Sequence, residues 1–253
     1  MRRFLLLAAA FALAACATVS ETGRSQLILI SPQQSAALGL SAFENIKQSM
    51  PVVRGTAEDA MVQRAGRRIA SAVPSAADGD WEFVLFDDPT PNAFALPGGK
   101  VGVHTGLFQV AATEDQLAAV IGHEIAHVTA RHSAERMSRD MVTQLGLGVL
   151  GATVDSPELV GLTATAATLG VTLPFTRSQE SEADRIGLQY MAQAGYDPRA
   201  AVDLWTNFAA FGDNRQPEFL STHPAPESRI ERLRSLLPEA MAIYRARGSA
   251  PQQ

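Results

Sequence analysis

The stretch TEDQLAAVIGHEIAHV, residues 113–128, decides the fold and most of the chemistry. Thr113 and Gln116 make a Thr-x-x-Gln capping pattern, which starts a helix. Leu117, Val120, Ile121, Ile125 and Val128 then recur at helical spacing and give that helix a buried stripe. Inside it lies His123-Glu124-Ile125-Ala126-His127, an H-E-x-x-H. Two imidazoles four residues apart share a helix face and can hold one zinc ion, while Glu124 can take a proton from water. A core helix with incidental histidines is the weaker reading, because burying Glu124 and His127 unpaired is expensive.

Such a site needs a third protein ligand, with a fourth position left for water. The run Gln179-Glu180-Ser181-Glu182-Ala183-Asp184-Arg185-Ile186-Gly187 offers candidates. Glu180 and Asp184 are four apart and share a helix face. Glu182 points roughly the other way and reads as solvated acidic surface. One of the paired carboxylates can bind the metal while the other hydrogen-bonds a ligand imidazole.

H-E-I-A-H followed by E-S-E-A-D resembles the gluzincin pattern H-E-x-x-H … E-x-x-x-D. Two further segments sharpen the likeness. Asn92-Ala93-Phe94-Ala95-Leu96-Pro97-Gly98-Gly99 precedes the first helix, and Ser221-Thr222-His223-Pro224 follows the second. Together they resemble metallopeptidase family 48, the group of HtpX, BepA, LoiP and the CAAX prenyl proteases, and within it the periplasmic BepA/LoiP-type lipoproteins. The likeness runs from about Thr56 to Leu237. It implies a zincin-like α+β fold, mainly helical, with a small β-sheet beside the H-E-x-x-H helix. It also implies one Zn2+ held by His123, His127 and Glu180, with Glu124 as general base and Asp184 orienting a ligand histidine. His223 matches a family histidine on a loop over the metal, which can close the fourth position and hold the enzyme latent. Arg229 matches a family arginine near the site and is expected as an oxyanion partner. Two histidines and one glutamate in a tetrahedral set favour zinc over other divalent metals.

Trp81 to Phe86 reads as a strand. Ala93 to Leu96 is extended, Pro97-Gly98-Gly99 turns, and Val101 to His104 returns as a second strand. An exposed sheet edge near the metal can pair with a substrate backbone. The resemblance assigns Asn92, Ala93, Phe94 and Ala95 to that role. Backbone pairing reads conformation rather than side chains, so unfolded or misfolded proteins are the expected substrates. His104 and His132 lie outside the motifs and are read as structural.

The N-terminus supplies an address. Met1-Arg2-Arg3 is basic, Phe4 to Ala12 is a short apolar core, and Leu13-Ala14-Ala15-Cys16 has the form of a lipobox. The apolar run is too short to span a bilayer, so residues 1–15 read as a lipoprotein signal peptide. Cys16, the sole cysteine, is the expected lipidation site, and Ala17 after it favours the outer membrane, facing the periplasm. The partners expected are unfolded or misfolded envelope proteins, the membrane through its lipid, and the outer-membrane assembly machinery.

Composition fits one enzyme domain. The chain carries 21 basic and 26 acidic residues. Removing Arg2 and Arg3 with the signal leaves 19 against 26, a balance of −7. An acidic chain without a basic cluster is a poor nucleic-acid binder. The expected layout is a lipidated N-terminus and helix over 16–55, a metallopeptidase domain over 56–240 and a tail over 241–253. Helices are expected from Ser31-Pro32 to about Ser49, Thr56 to Val73, Arg177 to Ala194, Pro198 to Phe211 and Pro224 to Leu237. Residues 141–175 have no Lys or Arg and no long apolar run. They read as a helical hairpin capping the site, with a membrane-proximal lid as the lesser reading. The function expected is a zinc endopeptidase acting on damaged envelope proteins. Its rival is a chaperone-like lipoprotein that binds unfolded outer-membrane proteins with little proteolysis.

Overall fold

The computed structural model describes residues 16–73, 80–153, 176–211, 219, 223 and 228–248. The expected signal peptide, residues 154–175 of the apolar segment and most of the loop around His223 lie outside the described residues. The elements run β1 (Cys16–Thr18), β2 (Ser25–Leu27), α1 (Pro32–Ser49), β3 (Val52–Val53), α2 (Ala57–Ala70), β4 (Glu82–Phe86), β5 (Ala93–Leu96) and β6 (Lys100–His104). A 3-10 turn (Thr105–Gln109) leads to α3 (Glu114–Thr129), α4 (His132–Thr153), α5 (Arg177–Gln193), α6 (Arg199–Ala210) and α7 (Ser228–Gly248). This is the mainly helical α+β class expected, with a small mixed sheet.

The four-stranded sheet has the order β3-β4-β6-β5. Its centre, β4 and β6, is parallel, from Glu82 opposite Lys100 to Phe86 opposite His104. β5 runs antiparallel to β6 and forms an edge. Strand side chains alternate between faces, and both faces are covered. Phe83, Leu85, Val101, Val103 and Ala93 join the main core with residues of α2 and α3, whereas Val84, Phe86, Phe94 and Leu96 pack with Phe43 of α1.

Both helices that carry the motifs are capped as the sequence directs. Thr113 accepts from the Gln116 backbone N–H while Gln116 reaches back, and Thr176 and Gln179 repeat that box at the start of α5. α3 and α5 cross with their backbones in contact. A Cβ added to Gly187 would sit 2.9 Å from the His123 nitrogen and 3.0 Å from the Gly122 carbonyl carbon. Gly187→Ala would gain up to about 1 kcal/mol of helix preference. Forcing the backbones apart costs about 1–3 kcal/mol. The expected outcome is a lower melting temperature and weaker metal binding, since His123 is the residue displaced. A variant with wild-type metal affinity would show that the contact does not set the site.

One expectation is corrected. The last helix does not stop at Leu237: α7 continues through Pro238 to Gly248, taking in the first part of the expected tail. A proline inside a helix is costly. Burial of Ala240 with Ile243 and Tyr244 packed on the core holds the helix together beyond it. Among residues 141–175, those described belong to α4. Its Met141, Val142 and Leu145 are exposed, and no helix among the described residues is long and apolar enough to cross a membrane. The N-terminal hairpin of β1 and β2 was not foreseen. Its strands pair Cys16 with Leu27 and Thr18 with Ser25, and Val19 at its turn is buried in the main core.

Candidate active site and metal centre

One ligand atom each from His123, His127, Glu180 and His223 lie within 4.8 Å of one another, and all four residues are buried. α3 supplies the two histidines and the first turn of α5 supplies Glu180. Four of the six separations run from 3.0 to 3.3 Å. His123 Nε2 and His127 Nε2 are 3.0 Å apart, and His127 Nε2 is 3.3 Å from Glu180 Oε1. His223 Nδ1 lies 3.0 Å from Glu180 Oε1 and 3.3 Å from His123 Nε2. A tetrahedron with metal–ligand bonds of about 2.0–2.1 Å has edges of about 3.3 Å. These four of the six separations lie close to that edge, so the four atoms can surround one such ion. The charges fit as well: among the described residues Glu124, Glu180 and Asp184 converge with Arg229 as the one fixed cation, leaving room for a dication. The structure brings His123, His127 and Glu180 together, with His223 in the same cluster.

Glu124 is 2% exposed and its Oε1 has no hydrogen-bond partner. His223 Nε2 stands 3.3 Å from that oxygen, close enough for charge attraction but outside hydrogen-bonding geometry. Burial raises the Glu124 pKa, against the opposing pull of His223 and His123. Burial and Arg229 push His123 down, yet Asp184 and Glu180 outweigh them and leave it up at about 9. Burial drives His127 well below its usual value. Glu180 overcomes burial through hydrogen bonds from His123, His127 and His223 and lies far below the usual carboxylate range. A bound metal takes the place of a proton on such a cluster.

Asp184 Oδ1 is 3.2 Å from His123 Nδ1, as the expected orienting role requires. Arg229 is 1% exposed and lies over the Trp205 ring, 3.6 Å from its centroid. It donates to Glu180 Oε2 at 2.9 Å and to Asp184 Oδ1 at 2.6 Å. That geometry describes a clamp on the two carboxylates behind the ligands, and it fits this role better than the expected oxyanion partner. His223 stacks on Phe219 with centroids 4.6 Å apart. The expected substrate strand, Asn92 to Ala95, lies at and just before edge strand β5, which packs beside α3. Asn92 is buried and its Oδ1 lacks a partner.

Two residues set aside as structural or solvated belong to the site. Glu182 is buried rather than solvated, because the N-terminal hairpin covers that face of α5. It accepts from Arg24 Nε at 2.6 Å and from Thr22. Arg24 also forks onto Glu135 at 2.8 and 3.0 Å. His132 lies against both Glu182 and His127. No pattern around His132 or Glu182 announces this, since the covering residues lie more than a hundred positions upstream. Burial raises Glu135, but hydrogen bonds from Arg24, Arg139 and Gln179 prevail and hold it at about 2. A carboxylate depressed in the folded state stabilises above its unfolded pKa, and that contribution disappears as pH falls toward the folded value. The clamp should therefore hold above about pH 4.5 and loosen between there and about pH 2. Acid unfolding followed by circular dichroism should show a shallower slope in Glu135→Gln over that window; an identical slope would rule the group out.

Residues 56–237 match the family model described as Peptidase family M48. Mitochondrial metalloendopeptidase OMA1 of Schizosaccharomyces pombe is 44% identical over 182 residues, covering 71% of this chain and 53% of that protein. The OMA1 of Arabidopsis thaliana is 37% identical over 193 residues, covering 74% and 39%. The Beta-barrel assembly-enhancing protease of Escherichia coli K12 is 34% identical over 224 residues, covering 84% and 46%. The chain thus spans about half the length, or less, of these relatives.

Proposed function

The chain belongs to peptidase family M48, and on that premise we propose that it is a zinc-dependent endopeptidase acting on unfolded or misfolded envelope proteins. The observation that carries the reading is the convergence of His123, His127 and Glu180 beside a buried Glu124 whose Oε1 accepts no hydrogen bond. Zinc held there would polarise a scissile carbonyl and acidify water. Glu124 takes the proton from the attacking water and delivers it to the leaving amine. Its raised proton affinity suits both transfers. Arg229 and Asp184 keep Glu180 and His123 aimed throughout. Edge strand β5 offers backbone groups to an extended substrate, with Asn92 at its entrance, and this favours unfolded segments over any one sequence. A cleft of about 200 Å³ beside His127, lined by Trp81, Pro97 and Val128, gives room for an apolar side chain.

His223 stands at the fourth corner and against the base, so the arrangement corresponds to a closed, latent enzyme. We place the protein at the outer membrane, lipidated on Cys16 and facing the periplasm; the lipobox supports this, and the mass of the mature N-terminus tests it. For the enzyme itself, cleavage of an unfolded protein should be abolished by a chelator, restored by zinc and raised by His223→Ala. If the zinc-loaded wild type and His223→Ala both leave the substrate intact, the binding-protein alternative takes over. If both cleave equally, the latch alone fails.

A further inference from the structure

His127 is held by a chain of contacts that starts outside the family-matched region. α3 ends at Thr129 with Ala130 as its cap, and Arg131 takes a left-handed φ of 55°, which only a few per cent of non-glycine residues adopt. The Arg131 guanidinium donates to the Ile30 carbonyl at 2.9 Å, which helps hold that turn. The turn folds the start of α4 back so that His132 Nδ1 lies 2.8 Å from His127 Nδ1. His132 is fully buried, and its Nε2 lies 3.0 Å from Glu182 Oε2. That oxygen in turn accepts from Arg24 Nε of the hairpin. Burial disfavours the charged form of the His132 ring.

One proton arrangement fits these contacts and a metal on His127 Nε2. A carboxylate can only accept, so His132 Nε2–H donates to Glu182. A His127 that binds metal through Nε2 carries its hydrogen on Nδ1, so His127 Nδ1–H donates and His132 Nδ1 accepts. That arrangement keeps the lone pair of His127 on Nε2, the atom facing His123 and Glu180. We propose that His132, Glu182 and Arg24 form a positioning chain that fixes the tautomer and tilt of His127, so that metal affinity depends on the N-terminal hairpin. The chain mirrors the Asp184 contact on His123. It rests on the metallopeptidase reading and adds to it His132, Glu182 and Arg24, the last of which precedes the matched region 56–237. Hydrogen bonding of the far ring nitrogen orients a metal-binding histidine and raises its basicity, and losing such a partner costs roughly 10–100-fold in metal affinity.

The test uses the full chain and zinc itself. Zinc affinity is measured by competition with a chelating dye for wild type, His132→Ala, Glu182→Gln and Arg24→Ala. The absorption of the Co2+-substituted proteins reports ligand geometry, and thermal melts of the metal-free proteins report folding. The expected result is a loss of about 10–100-fold for His132→Ala with a changed Co2+ spectrum. Glu182→Gln and Arg24→Ala should show smaller losses in the same direction, all on metal-free folds that melt as wild type does. Unchanged zinc affinity in the folded variants overturns the chain. So does a loss of zinc that merely follows collapse of the metal-free fold. A wild type that binds neither zinc nor Co2+ would instead overturn the metallopeptidase reading, so the two failures are distinct.

Discussion

Glu124→Gln is expected to remove turnover while leaving the metal in place. A positioned general base contributes about 10²–10⁴-fold, so kcat on an unfolded substrate should fall by that factor. Glutamine has nearly the shape of glutamate and can donate and accept hydrogen bonds, but it cannot take a proton from water. Glu124 is not among the four converging ligand residues, so zinc content should stay at the wild-type level. The measurement is kcat together with bound zinc per chain, made in the His223→Ala background so that the latch does not mask the chemistry. A zinc-loaded Glu124→Gln enzyme that turns over like its parent would remove Glu124 from the mechanism. Loss of zinc along with activity would instead make it a structural support.

The second large effect concerns folding. Arg229 is buried and is paired with Glu180 and Asp184. Removing one partner of a buried ion pair costs about 3–5 kcal/mol, because the remaining charge is uncompensated. Total stabilities are only about 5–15 kcal/mol, so metal-free Arg229→Ala should lose a large share of its stability. Zinc should recover part of the loss, because a dication beside Glu180 supplies the missing positive charge and binds only the folded state. Arg229→Lys should rescue poorly, since an ammonium cannot reproduce a fork onto two carboxylates or the same planar stacking on Trp205. Urea unfolding with and without zinc checks both statements. A metal-free Arg229→Ala as stable as wild type would mean that the two carboxylates are neutralised by some other means.

The parts of this site that were legible in the sequence are the local ones. His123 and His127, and Glu180 and Asp184, are each four apart, and helical geometry alone puts each pair on one face. The helix starts at Thr56 and Thr113 were legible for the same reason, since a cap and its partner lie within three residues. β1, β2 and β3 are two or three residues long, too short to show an alternating pattern. The parallel pairing of β4 with β6 is set by contacts distant in sequence. Glu182 was misread because helical periodicity says which residues share a face but not what covers the opposite one. Here that cover is Arg24 and Thr22. Arg229 was placed near the site by resemblance, but its direction depends on α7 docking over α5, which no local signal encodes.

The hairpin begins at Cys16 itself, paired with Leu27, and Val19 is already inside the body of the protein. For a chain acylated on Cys16, the anchor would therefore have no leash. A flexible spacer lets a tethered head roam over about 5–6 Å times the square root of its length in residues; here that length would be nil. Such an enzyme would work at one fixed height above the lipid, like a press rather than a buoy. Its search for damaged chains would be two-dimensional, confined to those that emerge at or collapse onto the bilayer surface.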